Sequence, residues 1–138
     1  MLSEKSQALK EASKVEARRL GHRYVGTEHI LLAVSHEANL KVCEILIALG
    51  LDPADLQSQI DAFVISAGSL ATEEEIPFSP RALRSLDRAI EEAGSLGSPK
   101  AEPEHVLLSL AQDEEGVAAR VLEVYGIDYA SIRTVLKE

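Results

Sequence analysis

Two acid–histidine pairs, Glu28-His29 and Glu104-His105, stand 76 positions apart in a chain of 138 residues. A carboxylate beside an imidazole is raw material for general acid–base catalysis, and imidazole is a common metal ligand. His22, His29 and His36 also recur every seven residues. Zinc, however, asks for three or four converging ligands. His22 precedes Gly26 in a stretch that reads as loop, and the single cysteine, Cys43, falls in a different predicted helix. The pattern therefore predicts no metal and no cofactor, with His29 and His105 as partly buried structural residues at helix starts. Nucleophilic catalysis lacks its signatures as well. There is no Gly-x-Ser-x-Gly elbow, and Cys43, next to Val42 and near Ile45, reads as a small core residue. Glu28 and Glu104 have a plainer role open to them. A first-turn carboxylate complements the helix dipole by about 0.3–1 kcal/mol.

These pairs belong to an internal repeat. Leu20-Gly21 returns as Leu96-Gly97, Glu28-His29-Ile30-Leu31-Leu32 as Glu104-His105-Val106-Leu107-Leu108, and Gly50-Leu51-Asp52 as Gly126-Ile127-Asp128. Each unit reads as four helices. In unit two, Ser79 caps the first helix with Pro80 at its first position, and Leu83, Leu86, Ala89/Ile90 and Ala93 form its inward stripe. Unit one does the same after Ser3 with Leu9, Ala12 and Val15. Thr27 is expected to cap a short second helix over 28–35. A third helix carries Val42, Ile45, Leu46 and Leu49 inward, mirrored by Ala118, Val121, Leu122 and Tyr125. Gly50 and Gly126 should end it in the left-handed conformation. Leu56, Ile60 and Phe63, then Ile132, Val135 and Leu136, point inward from the fourth helices. The expected fold is all-α: an eight-helix pseudo-twofold bundle, with repeat one over 1–66, a connector over 67–76 and repeat two over 77–138. The junction of the halves is the natural ligand site.

Composition narrows the partners. Net charge is −9, from 23 acidic and 14 basic side chains, which repels phosphate backbones and anionic membranes. Arg18-Arg19 with Arg23 reads as a solvated helix end. The longest apolar runs, such as Ile30–Val34, are far too short to span a bilayer, and the first residues do not resemble a signal peptide. One cysteine suits a reducing compartment. A cytoplasmic, monomeric protein is expected.

The stretch Ala17–Leu32, with Arg18-Arg19-Leu20-Gly21-His22 and Gly26-Thr27-Glu28-His29-Ile30-Leu31-Leu32, resembles the first repeat of the Clp N-terminal domain of ClpC- and ClpA-type AAA+ unfoldases. Ile76-Pro77-Phe78-Ser79-Pro80-Arg81-Ala82 and Glu115–Leu122 resemble the second. The resemblance spans nearly the whole chain. It implies a chaperone module that docks substrates and adaptors for Clp proteolysis. The chain holds no Gly-x-x-x-x-Gly-Lys-Ser/Thr loop, so ATP hydrolysis by the family's mechanism is not expected of it.

The resemblance also implies a ligand. In ClpC-type domains the glutamates equivalent to Glu28 and Glu104 help recognise phosphoarginine, a carboxylate holding the guanidinium by paired hydrogen bonds. Thr27 and the helix start would receive the phosphate. Unit two departs from this pattern. Pro103 replaces Thr27 and lacks hydroxyl and N–H, and Glu102 adds a negative charge, although Lys100 is near. Leu2 and Phe78 match a position that contacts partners in the family, or they staple their helix ends. The leading expectation is a non-catalytic docking module. The others are an accessory protein that binds a Clp ATPase ring or peptidase and tunes its assembly, and a small hydrolase using an acidic inter-repeat cleft.

Overall fold

The computed structural model describes residues 1–36, 41–63 and 76–137. Among these, eight helices follow in order: α1 (Glu4–Arg19), α2 (Thr27–Ser35), α3 (Lys41–Ala48), α4 (Pro53–Phe63), α5 (Pro80–Ser95), α6 (Pro103–Gln112), α7 (Val117–Val124) and α8 (Tyr129–Lys137). Extended pairing among the described residues is confined to two isolated bridges. The fold is all-α, as the periodicity predicts. The expected connector over 67–76, apart from Ile76, and the Phe63 side chain lie outside the described residues.

Local chemistry sets the helix ends. Ser3 and Ser79 each accept a bond from a backbone N–H three residues on, Ser6 and Ala82 respectively, both at 3.1 Å. Gly50 and Gly126 take φ of 91° and 73°, which a side chain would resist. Their turns close with Leu51 N–H to Leu46 O at 2.9 Å and Ile127 N–H to Leu122 O at 3.1 Å.

Helices α2 and α6 form the centre. Every residue of α2 is buried, which explains why Ile30–Val34 is apolar on all sides rather than along one stripe. Helix α2 packs against α1 and α4 in its own half and meets α5, α6 and α7 of the other; α6 mirrors this with α5, α8, α1 and α3. The halves are also tied reciprocally. Ser3 N–H donates to Ala101 O (3.0 Å) and Ala101 N–H to Met1 O (2.9 Å); Ser79 N–H donates to Val25 O (2.8 Å) and Val25 N–H to Pro77 O (2.9 Å). The residues of one bridge lie 76 positions from their equivalents in the other. The lead-in to helix one of each half is thus held by the lead-in to helix two of its partner half.

The predicted first-helix stripes hold at Leu9, Leu86, Ala89 and Ala93, which are buried, and fail at three positions. Val15 is 60% exposed, and Leu83 and Ile90 are 47% and 37% exposed. The buried faces are Ser6, Leu9, Ser13, Glu16 and Ala17 on α1, and Ala82, Ser85, Leu86, Ala89, Glu92 and Ala93 on α5. Small residues let these helices approach their neighbours closely. The serines on α1 satisfy their hydroxyls on carbonyls, Ser13 on Leu9 O and Ser6 on Ala101 O, each at 2.7 Å. A reading that counts serine as outward must misplace such a face.

Candidate functional site

Where the halves meet, the starts of α2, α5 and α7 converge around a cleft of about 410 Å³. Tyr24, Thr27 and Glu28 line it from the first half, and Ser79, Arg81 and Arg84 from the second. Thr27 is not the cap of α2 but its first residue, and Gly26 is the cap. Two interactions impose this. Gly26 N–H donates to His29 Nδ1 at 2.8 Å, and a Cβ on Gly26 would collide with Glu28 Oε1. The Thr27 hydroxyl points across the junction instead, where it accepts from Ala118 N–H at 3.3 Å.

Glu28 is only 7% exposed, yet its carboxylate has no hydrogen bond or ion pair among the described residues and opens on the cleft. Its stem is buried while its carboxylate oxygens keep access to the cleft. Such a group is poised for a cationic, hydrogen-bond-donating ligand. Opposite it, Arg81 is already engaged, with Nη1 2.6 Å from Asp113 Oδ1 and Nη2 3.7 Å from Glu115 Oε2. Glu115 thereby leans towards Arg81 at the exposed edge of the cleft.

The histidines separate as their environments dictate. His29, fully buried, accepts from Gly26 at Nδ1, so its proton sits on Nε2, 2.7 Å from His22 Nδ1. Burial, then the nearby His22 and Arg19 charges, push its pKa down to about 4. His105 repeats the cap by accepting from Glu102 N–H at 2.9 Å, and burial lowers its pKa also. His36 turns away, with Nε2 3.0 Å from Glu16 Oε1. The seven-residue spacing does not gather the three on one site. Among the described residues, no three His, Cys, Asp or Glu side chains are grouped to hold a metal.

Glu104 sits at the matching place on α6 but is half-buried and faces a different neighbourhood, preceded by buried Pro103. Leu2 and Phe78 lie in the two bridges, partly buried against the core, and Lys10 Nζ and Lys14 Nζ stand 5.5 and 6.0 Å from the Phe78 ring centre. Cys43 is buried, with Sγ 3.6 Å from Val34 O. Sequence reasoning missed Arg84, Tyr24 and the Arg81–Asp113 pair. It also missed Glu16 and Glu92, equivalent buried acids on α1 and α5. Glu92 accepts from Tyr129 Oη at 2.9 Å and pairs with Arg133 Nη1 at 3.0 Å. Their shared offset of 76 was the available signal.

The family model of the Clp repeat (R) N-terminal domain matches residues 1–123 and, again, 78–138. The chain belongs to the Clp repeat N-terminal domain family. Among curated relatives, the chloroplastic chaperone protein ClpC2 of Arabidopsis thaliana is 45% identical over 122 residues, covering 88% of this chain and 13% of the relative. The chloroplastic ClpA homolog of Brassica napus, named an ATP-binding subunit of the ATP-dependent Clp protease, is 45% identical over 119 residues, covering 86% and 14%. The chain thus spans about a seventh of these relatives, as a Clp N-terminal domain spans part of a Clp ATPase chaperone. Among solved structures, the N-terminal domain of ClpD from Arabidopsis thaliana superposes with a TM-score of 0.75 at 25% identity, covering 99% of this chain and 95% of that one. The Hsp104 N-terminal domain of Candida albicans shares the fold, with a TM-score of 0.80 at 15% identity over 99% and 89% of the two chains.

Proposed function

We propose that this Clp repeat domain is a non-catalytic docking module that captures protein substrates or adaptors for a Clp ATPase, and that its inter-repeat cleft recognises phosphoarginine on them. The observation that carries the reading is Glu28, buried, unpaired and open to the cleft. Its carboxylate suits the two parallel donors of a guanidinium. The start of α5, with Ser79, Arg81 and Arg84, and the start of α7 supply donors and positive potential for a phosphoryl group within the same cleft. Glu104, beside Pro103 and Glu102, marks a weaker second site. The division into repeats over 1–66 and 77–138 belongs to the same proposal, and the reciprocal bridges support it.

Calorimetric titration with free phosphoarginine tests this. Glu28→Ala should lose about 1.5–3 kcal/mol of binding, the scale of a charge-assisted hydrogen bond, and Glu104→Ala less. Absence of heat at millimolar phosphoarginine would leave docking of whole proteins as the function.

A further inference from the structure

Two guanidinium groups line the cleft together with Glu28, and they differ in commitment. Arg81 is held by Asp113 at 2.6 Å and reaches Glu115 at 3.7 Å, so part of its donor capacity is already taken up by these two carboxylates. Arg84, one helical turn further along α5, is exposed and has no hydrogen bond or ion pair among the described residues. The cleft therefore carries two uncommitted charges of opposite sign, the Glu28 carboxylate and the Arg84 guanidinium.

A ligand that satisfies both must itself carry a cationic and an anionic group close together. Bare arginine side chains offer only the first. We infer that Arg84 is the specificity residue of this cleft, binding the phosphoryl group and so separating phosphorylated from unmodified arginine; this rests on the phosphoarginine reading given above. Arginine suits the task because its planar fork presents parallel donors to phosphate oxygens. The repeat supplies an internal contrast. At the offset of 76, Arg84 corresponds to Ala8 and Arg81 to Lys5. At that offset Ala8 stands where Arg84 does in the other half, so the phosphoryl preference should belong to the half that holds Glu28.

The test compares free phosphoarginine and free arginine on the full chain by calorimetry or ligand-observed NMR, in wild type, Arg84→Ala and Arg84→Lys. Arg84→Ala should weaken phosphoarginine binding about tenfold or more, while arginine binding changes less than about twofold. Arg84→Lys, which keeps the charge but not the fork, should recover part of the loss. Equal losses for both ligands would overturn the assignment, since they would report a change in cleft shape. Unchanged phosphoarginine binding in Arg84→Ala would overturn it while leaving the phosphoarginine reading intact. Wild type binding arginine as well as phosphoarginine, or binding neither, would overturn both. Far-UV circular dichroism checks the fold of each variant, and an exposed side chain with no partner among the described residues should leave it unchanged.

Discussion

His29 Nε2 donates to His22 Nδ1 across 2.7 Å, while His29 Nδ1 accepts from Gly26 N–H. One imidazole thus closes the cap of α2 and pins the loop that leads into it. The cap requires His29 to be neutral, because a proton at Nδ1 would remove the acceptor that Gly26 uses.

This fixes a pH dependence. In the unfolded chain His29 titrates near 6.5, whereas in the folded protein it does so at about 4. Between those values the unfolded state binds the extra proton, so stability is complete above about pH 6.5 and falls as pH drops towards 4. The loss attributable to His29 should reach about 3 kcal/mol, because each pH unit separating the two titrations is worth roughly 1.4 kcal/mol. Buried His105 adds to it in the same direction. Urea denaturation at pH 7.0, 5.5 and 4.5 measures it, with His29→Gln as control. A glutamine at that position keeps a capping acceptor and removes the titration. If wild type and variant lose stability in parallel, the assignment to His29 is wrong.

Gly26 should prove functional rather than conformational. Its φ of −102° is open to any residue, so Gly26→Ala meets no backbone strain. The added methyl instead displaces the Glu28 carboxylate, which lies against that position. Stability should change by less than about 1 kcal/mol, because the atoms that must move are the end of a flexible side chain rather than backbone. Phosphoarginine binding should fall as far as in Glu28→Ala. A Gly26→Ala variant with wild-type binding would show that the carboxylate needs no such seat.

Leu31 and Leu107, equivalent residues at the centres of α2 and α6, are both fully buried. Truncation of either to alanine should cost about 2–5 kcal/mol by denaturant unfolding. A cost below about 0.5 kcal/mol for either would mean that its helix is not central to the core.

Glu92 holds Tyr129 and Arg133 of α8 against α5. Glu92→Ala should destabilise the protein by about 1.5–3 kcal/mol, the range for hydrogen bonds to a charged group. Hydrogen exchange should rise first in α8. Uniform loss of protection across the domain would argue against this local role.

Much of this was legible from the chain. The repeat, the helix count and the third-helix faces follow from spacing, since Val42, Ile45 and Leu46 and their equivalents are apolar and inward. The first-helix faces were legible only in part: Leu9, Leu86, Ala89 and Ala93 are inward as the spacing suggests, but Ser6, Ser13, Ser85 and Ala82 complete the faces by size rather than by polarity. Thr27 looked like a cap because threonine caps by its side chain and glycine has none. Gly26 takes the position because His29 and Glu28 both fold back over it. Arg84 and the Arg81–Asp113 pair were invisible for a different reason. Their relation to Glu28 exists only once α5 and α7 are carried across the junction to the start of α2.

The bridge between Met1–Ser3 and Ala101 also sets an order of events during synthesis. The lead-in to α1 is made first, yet its partner backbone emerges only after about a hundred more residues have been joined. Until then Ser3 N–H and the Met1 carbonyl have no native acceptor or donor, and the first half presents α2 to solvent on the side that α6 later covers. Contacts so distant along the chain are slow to close. A ribosome-bound nascent chain ending before Ala101 should therefore expose an apolar surface open to other molecular chaperones, and lose it once α6, which ends at Gln112, clears the exit tunnel.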